Sequence, residues 1–146
     1  MCPTLLLAIV LGAPALKDPP NKAADLVGEW VVEGLVYSGR PRPVGKDPQR
    51  HVFAPDGTWT VTRGERKLSG NRAYRVDATT DPPTITLKYD AAEQDGPEAL
   101  GIFQVTGNTL TLCYARPGST RRPTAFESAP GSGINLIILK RARPKD

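Results

Sequence analysis

Apolar and polar residues alternate with a period of two in several short segments, and Pro- or Gly-containing turns separate those segments. In Thr58–Arg63, Trp59 and Val61 face one way while Thr58, Thr60 and Thr62 face the other. In Thr84–Tyr89, Ile85, Leu87 and Tyr89 alternate with Thr84, Thr86 and Lys88, and in Thr109–Ala115 Leu110, Leu112 and Tyr114 form one row. A period of two puts successive side chains on opposite faces of a strand, so each segment reads as a half-buried β-strand. With Pro 15 and Gly 14 in 146 residues, the chain has turns enough for many short elements and no room for long helices.

Further strands are expected over 26–38, 51–54, 71–76, 100–105 and 134–141. The first has apolar residues on both parities, as a strongly bent or doubly covered strand does. Pro55-Asp56-Gly57 has the chemistry of a tight turn between two of these strands, and Thr106-Gly107-Asn108 that of a short hairpin. The count is about eight strands with no helix long enough for a parallel crossover, so the sheet is antiparallel. The fold class expected is all-β: an up-and-down meander closed into a small barrel, with a two-sheet sandwich as the alternative. Lys22–Leu26 is expected to form one helical turn capped by Asn21.

Leu5–Leu11 is a short apolar run followed by Ala13-Pro14-Ala15, a site of the small-x-small kind. Residues 1–15 therefore read as a signal peptide, 16–23 as a spacer, 24–141 as the folded domain and 142–146 as a polar tail, in a protein exported to the periplasm or secreted. The apolar run is shorter than the ~20 residues a membrane-spanning helix needs, and no other stretch approaches that length. Cys2 lacks the preceding small apolar residues of a lipoprotein anchor. Signal removal leaves Cys113 alone, so packing rather than a disulfide must hold the domain, and the thiol is expected to be buried and inert.

The net charge of +4 is spread through loops among acids, with no nucleic-acid-binding signature, and no nucleic-acid partner is expected. Enzyme chemistry has little to work with. His51 is the sole histidine, no Gly-x-Ser-x-Gly elbow occurs, and one His with one Cys cannot make a zinc site. Asp90, Glu93, Asp95 and Glu98 match no calcium-loop spacing, and no cofactor or metal is expected. Two features remain: the inward-reading aromatics Trp59, Tyr74, Tyr89 and Tyr114, which either line a pocket or fill a narrow barrel, and Arg122, beside Arg121, as a forked clamp for an anion or as a structural cap.

Gly28-Glu29-Trp30, following a short helical turn, resembles the Gly-x-Trp opening of lipocalins. Leu100-Gly101-Ile102-Phe103, Thr109–Tyr114, Arg122-Pro123-Thr124-Ala125-Phe126 and Pro130-Gly131-Ser132-Gly133 together resemble an uncharacterised family of lipocalin-like domains from planctomycete bacteria. The resemblance spans Ala24 to Arg141 and implies a barrel whose Trp30 packs at the base under a basic side chain from the last strand, Lys140 or Arg141. It departs from true lipocalins in lacking a second-turn motif, a disulfide and a C-terminal helix. The function expected is binding of a small hydrophobic or amphipathic molecule by a monomer; the alternative is an envelope protein-interaction module acting through the Arg-rich loop 116–133.

Overall fold

A computed structural model describes residues 23–68, 72–89 and 96–142. The segment read as a signal, most of the spacer, Asp90, Glu93 and Asp95, and the tail beyond Ala142 lie outside the described residues. The chain is all-β and antiparallel. A single turn, α1 (Ala23–Leu26), leads into β1 (Gly28–Tyr37), and β2 (Arg40–Arg42), β3 (Gln49–Phe53), β4 (Trp59–Arg63), β5 (Arg66–Lys67), β6 (Ala73–Asp77), β7 (Thr84–Lys88), β8 (Glu98–Thr106), β9 (Thr109–Ala115) and β10 (Ile134–Arg141) follow. They form one sheet, in the order β5-β4-β3-β1-β10-β9-β8-β7-β6, with β2 attached to β1, and the sheet curls into a half-barrel.

First and last strands pair. β1 runs against β10 from Trp30–Arg141 to Tyr37–Asn135, and a register shift between Val32 and Gly34 inserts a bulge. That bulge explains why apolar residues fall on both parities of β1: its inner face changes parity midway, from Trp30 and Val32 to Leu35 and Tyr37. β2 and β5 are short and wholly exposed. With no buried face they carry no alternation to detect.

Cross-strand partners share a face, so the register fixes what lies inside. Trp30, Val32, Phe53, Trp59, Val61, Ile85, Leu87, Phe103, Leu110, Leu112, Ile137 and Leu139 are all buried on the inner face and form one cluster. The α1 end of this interior is sealed. Leu26 is fully buried, the Trp30 indole donates to its carbonyl at 2.9 Å, and the Arg141 guanidinium lies 4.1 Å from the Trp30 ring centroid. Arg141 also donates to the carbonyls of Val27 (3.2 Å) and Asp25 (3.0 Å). Gly28 fits here because its φ is +137° and a Cβ would sit 2.7 Å from Arg141 Nη1.

On the outer face, the long loop 116–133 lies across β7, β8 and β9 and is pinned there. Arg122 Nη1 donates to the carbonyls of Ile85 (2.9 Å) and Gly101 (2.7 Å), and Nη2 to Thr86 Oγ1 (3.2 Å). Cys113 points out beneath the loop, 3.5 Å from the Ala125 carbonyl and 3.6 Å from that of Glu127, and burial pushes its thiol pKa up.

Candidate functional site

The two ends of the curled sheet approach each other at one place. Thr58, just before β4, bridges Ala73, the first residue of β6. The Trp59 amide donates to the Arg72 carbonyl at 3.0 Å and the Tyr74 amide to the Gly57 carbonyl at 2.9 Å. The meeting is staggered: Thr58 lies at the α1 end of β4, whereas Ala73, paired with Lys88, lies at the end of the sheet away from α1. The stagger carries side chains from distant strands to one spot.

Four of the sequence-predicted residues converge there. The Trp59 ring meets Tyr89 edge-on, with centroids 5.4 Å apart, and stacks on Phe53 at 6.3 Å. Tyr74 packs edge-on against Phe53 at 5.1 Å and donates its hydroxyl proton to the Ala54 carbonyl at 2.6 Å. Tyr114, nearly buried on β9, is hydrogen-bonded through its hydroxyl to that of Tyr89. Burial raises the pKa of all three phenols, most strongly that of Tyr114, so they are protonated at neutral pH. Arg122 does not join them, since its fork is occupied on the opposite face of the sheet. Gly28, Trp30 and Arg141 meet one another at the α1 end.

Sequence reasoning missed two members. Arg72 lays its guanidinium over both the Tyr89 ring, 4.5 Å from the centroid, and the Trp59 ring, at 4.9 Å. The strand expected over 71–76 puts it on the row of Tyr74 and Val76, but a lone cation on an apolar row gave no signal of what it would cover. His51 lies on the inner face of β3, 2% exposed, with its ring 6.0 Å from Trp59 and 6.5 Å from Phe53. Trp59 Nε1–H donates to His51 Nδ1 at 3.2 Å. Burial, reinforced by Arg72, lowers the His51 pKa from 6.5 to about 4. The ring is therefore neutral at pH 7.

A small hollow of about 40 Å³ lies at the end of the interior away from α1, among Val32, Leu35, Val44, Gln49, Arg63 and Ile137. A larger groove, about 330 Å³, lies outside, where Pro82 and Pro83 face Thr124, Ala125 and Phe126 of the long loop. Among the described residues no group of three or more His, Cys, Asp or Glu is placed to hold a metal, and no helix is long and apolar enough to cross a membrane. Comparison with protein families, curated proteins and solved structures finds no match to this chain.

Proposed function

We propose that the curled sheet closes into a small lipocalin-like barrel, exported as its N-terminus suggests, which binds a small amphipathic molecule without catalysis. Closure is supported by the register. β5 pairs antiparallel with β4, and residues 72–74 resume the same antiparallel relation to 57–59 with the register moved by two residues. β5 and β6 therefore both lie antiparallel to the β4 segment, on the side where the wall must close. The stagger at that join is the strand tilt a closed barrel requires.

The observation that carries the binding reading is the group formed by Trp59, Tyr89, Tyr114 and Arg72. At the α1 end the cation over Trp30 is tied to backbone carbonyls and sealed in, whereas here a cation covers two aromatic faces beside a pair of phenols, with Arg72, Tyr74 and Tyr89 only half-buried. Aromatic faces with a few convergent polar groups make a ligand site of the ordinary kind. The test is native mass spectrometry of the protein purified from its own host, with organic extraction of what travels with it. A reproducible small molecule is expected, lost in Trp59→Leu and Tyr89→Leu variants that keep their β-sheet circular dichroism. A bare protein mass, together with tryptophan fluorescence indifferent to apolar dyes, sinks the reading.

The outer groove favours a second reading, an envelope interaction module. The loop 116–133 is held rigidly enough by Arg122 to present Ala125 and Phe126 to a partner. Retention of a specific envelope protein that Phe126→Ser abolishes distinguishes it from the first.

A further inference from the structure

Over much of the molecule the arginines are tied down. Arg50 pairs with Glu29, Arg75 pairs with Glu98, and Arg122 and Arg141 donate to backbone carbonyls. At the end of the interior away from α1, by contrast, the exposed side chains of Arg63 and Arg66 make no ion pair or hydrogen bond among the described residues. The local sequence forces these two together. Arg63-Gly64-Glu65-Arg66 is a tight hairpin with Gly64 at φ +61°, and Arg63 is the antiparallel partner of Arg66. Opposed partners share a face, their Cβ atoms ~5 Å apart. That face is the inner one, since Trp59 and Val61 precede Arg63 on it and Leu68, two residues after Arg66, packs on the core.

Like charges directly opposite one another on a sheet repel, and no group of the protein offsets this pair. No Asp or Glu occupies an inward position on any described strand. Asp47, whose Oδ2 would lie 3.1 Å from a Cβ at Gly64, and Glu65, in the turn itself, form no ion pair with either arginine. The rim gathers further cations instead: Arg42 opposes Leu35 and shares its inner face, and Lys67 follows Arg66. Beneath Arg63 the hollow is walled by Val32, Leu35, Val44 and Ile137, and its 40 Å³ hold little more than one water molecule. Whatever these arginines hold therefore sits above the hollow, at the open rim, and not inside the sheet.

We propose that Arg63 and Arg66, with Arg42 alongside, form a rim site for a tetrahedral oxyanion, a phosphate or sulfate group that bridges the two guanidiniums. One guanidinium fork already matches both oxygens of a carboxylate, whereas two forks side by side suit an anion with three or four oxygens. Such an anion turns the repulsion between the arginines into two attractions. The site lies four residues along β4 from Trp59 and does not depend on the small-molecule reading.

The experiment titrates the protein with inorganic phosphate and with sulfate, ionic strength held constant with sodium chloride, and follows the arginine Nε–H resonances. Saturable shifts of Arg63 and Arg66 are expected. Arg63→Gln and Arg66→Gln replace exposed side chains, so the fold should survive, and each should weaken binding about tenfold or more, whereas Arg121→Gln on the loop 116–133 should not. A second arm offers phosphatidylcholine vesicles with and without phosphatidic acid. Retention only on the phosphatidic acid vesicles, lost in both variants, supports the site and assigns its group to a lipid head. Binding of free phosphate without retention on vesicles supports it and assigns the group to a soluble ligand. Shifts no larger with phosphate or sulfate than with chloride, or unchanged in Arg63→Gln and Arg66→Gln, overturn the site.

Discussion

At Gly101 an added Cβ would lie 2.6 Å from the Cys113 carbonyl oxygen and 2.6 Å from Tyr114 Cβ, so β8 and β9 can approach this closely only over a glycine. Gly101→Ala forces backbone apart rather than a flexible side chain and is expected to cost ~1–3 kcal/mol, read as a lower urea midpoint with unchanged m-value. His51 makes a different prediction. Its folded pKa of about 4 lies below the unfolded 6.5, so above pH 6.5 neither state is charged and the group has no pH-dependent effect. As pH falls from 6.5 towards 4 the unfolded chain takes up a proton the folded one refuses, and stability drops, by about 3 kcal/mol once both limits are passed. Urea midpoints at pH 7 and pH 4 should therefore differ less in His51→Gln than in the unaltered protein, the carboxylates contributing alike to both. The aromatic residues of the site were legible because alternation assigns each a face. The partners of His51 and Arg122 were not, because a face does not tell which atom from another strand will meet it.

Strand by strand, legibility followed burial. Residues 109–115 and 134–141 were read with the bounds that β9 and β10 have, and the Pro55-Asp56-Gly57 turn sits between β3 and β4 as expected. β2 and β5 went unread because exposed strands such as Arg40–Arg42 carry no buried face. The long loop 116–133 reads in sequence as Gly- and Pro-rich, with Arg122 as an anion clamp or a structural cap. Of the two, the cap is what the structure has: Arg122 holds two backbone carbonyls of β7 and β8. One guanidinium nitrogen, Nη1, meets both carbonyls, while the other, Nη2, reaches Thr86 Oγ1. Arg122→Ala should leave those carbonyls short of a partner, cost ~1–3 kcal/mol, and speed amide hydrogen exchange of Cys113 and of the loop around Ala125. Binding at Trp59 and Tyr89, on the other face, should not change.

For the whole molecule the open question in the sequence was whether first and last strands pair, since alternation is the same in a sandwich, a half-barrel and a barrel. β1 and β10 do pair, along seven residues of β1. The remaining join lies mid-chain, between β4 and β6, where the bridge Thr58–Ala73 is flanked by the amides of Trp59 and Tyr74. Its position follows from the physics of the surrounding sequence: β5 is two exposed residues that bury nothing, so this wall is held by few backbone bonds and by the aromatic side chains behind it. Those same side chains form the proposed site, and a guest packed against Trp59 would brace the join from within. If the barrel is closed, the Trp59 and Tyr74 amides should exchange with deuterium nearly as slowly as the Leu112 amide in the middle of β9, and a bound guest should slow them further. Exchange at these two amides as fast as at solvent-exposed turns, while Leu112 stays protected, would mean a half-barrel with an open side.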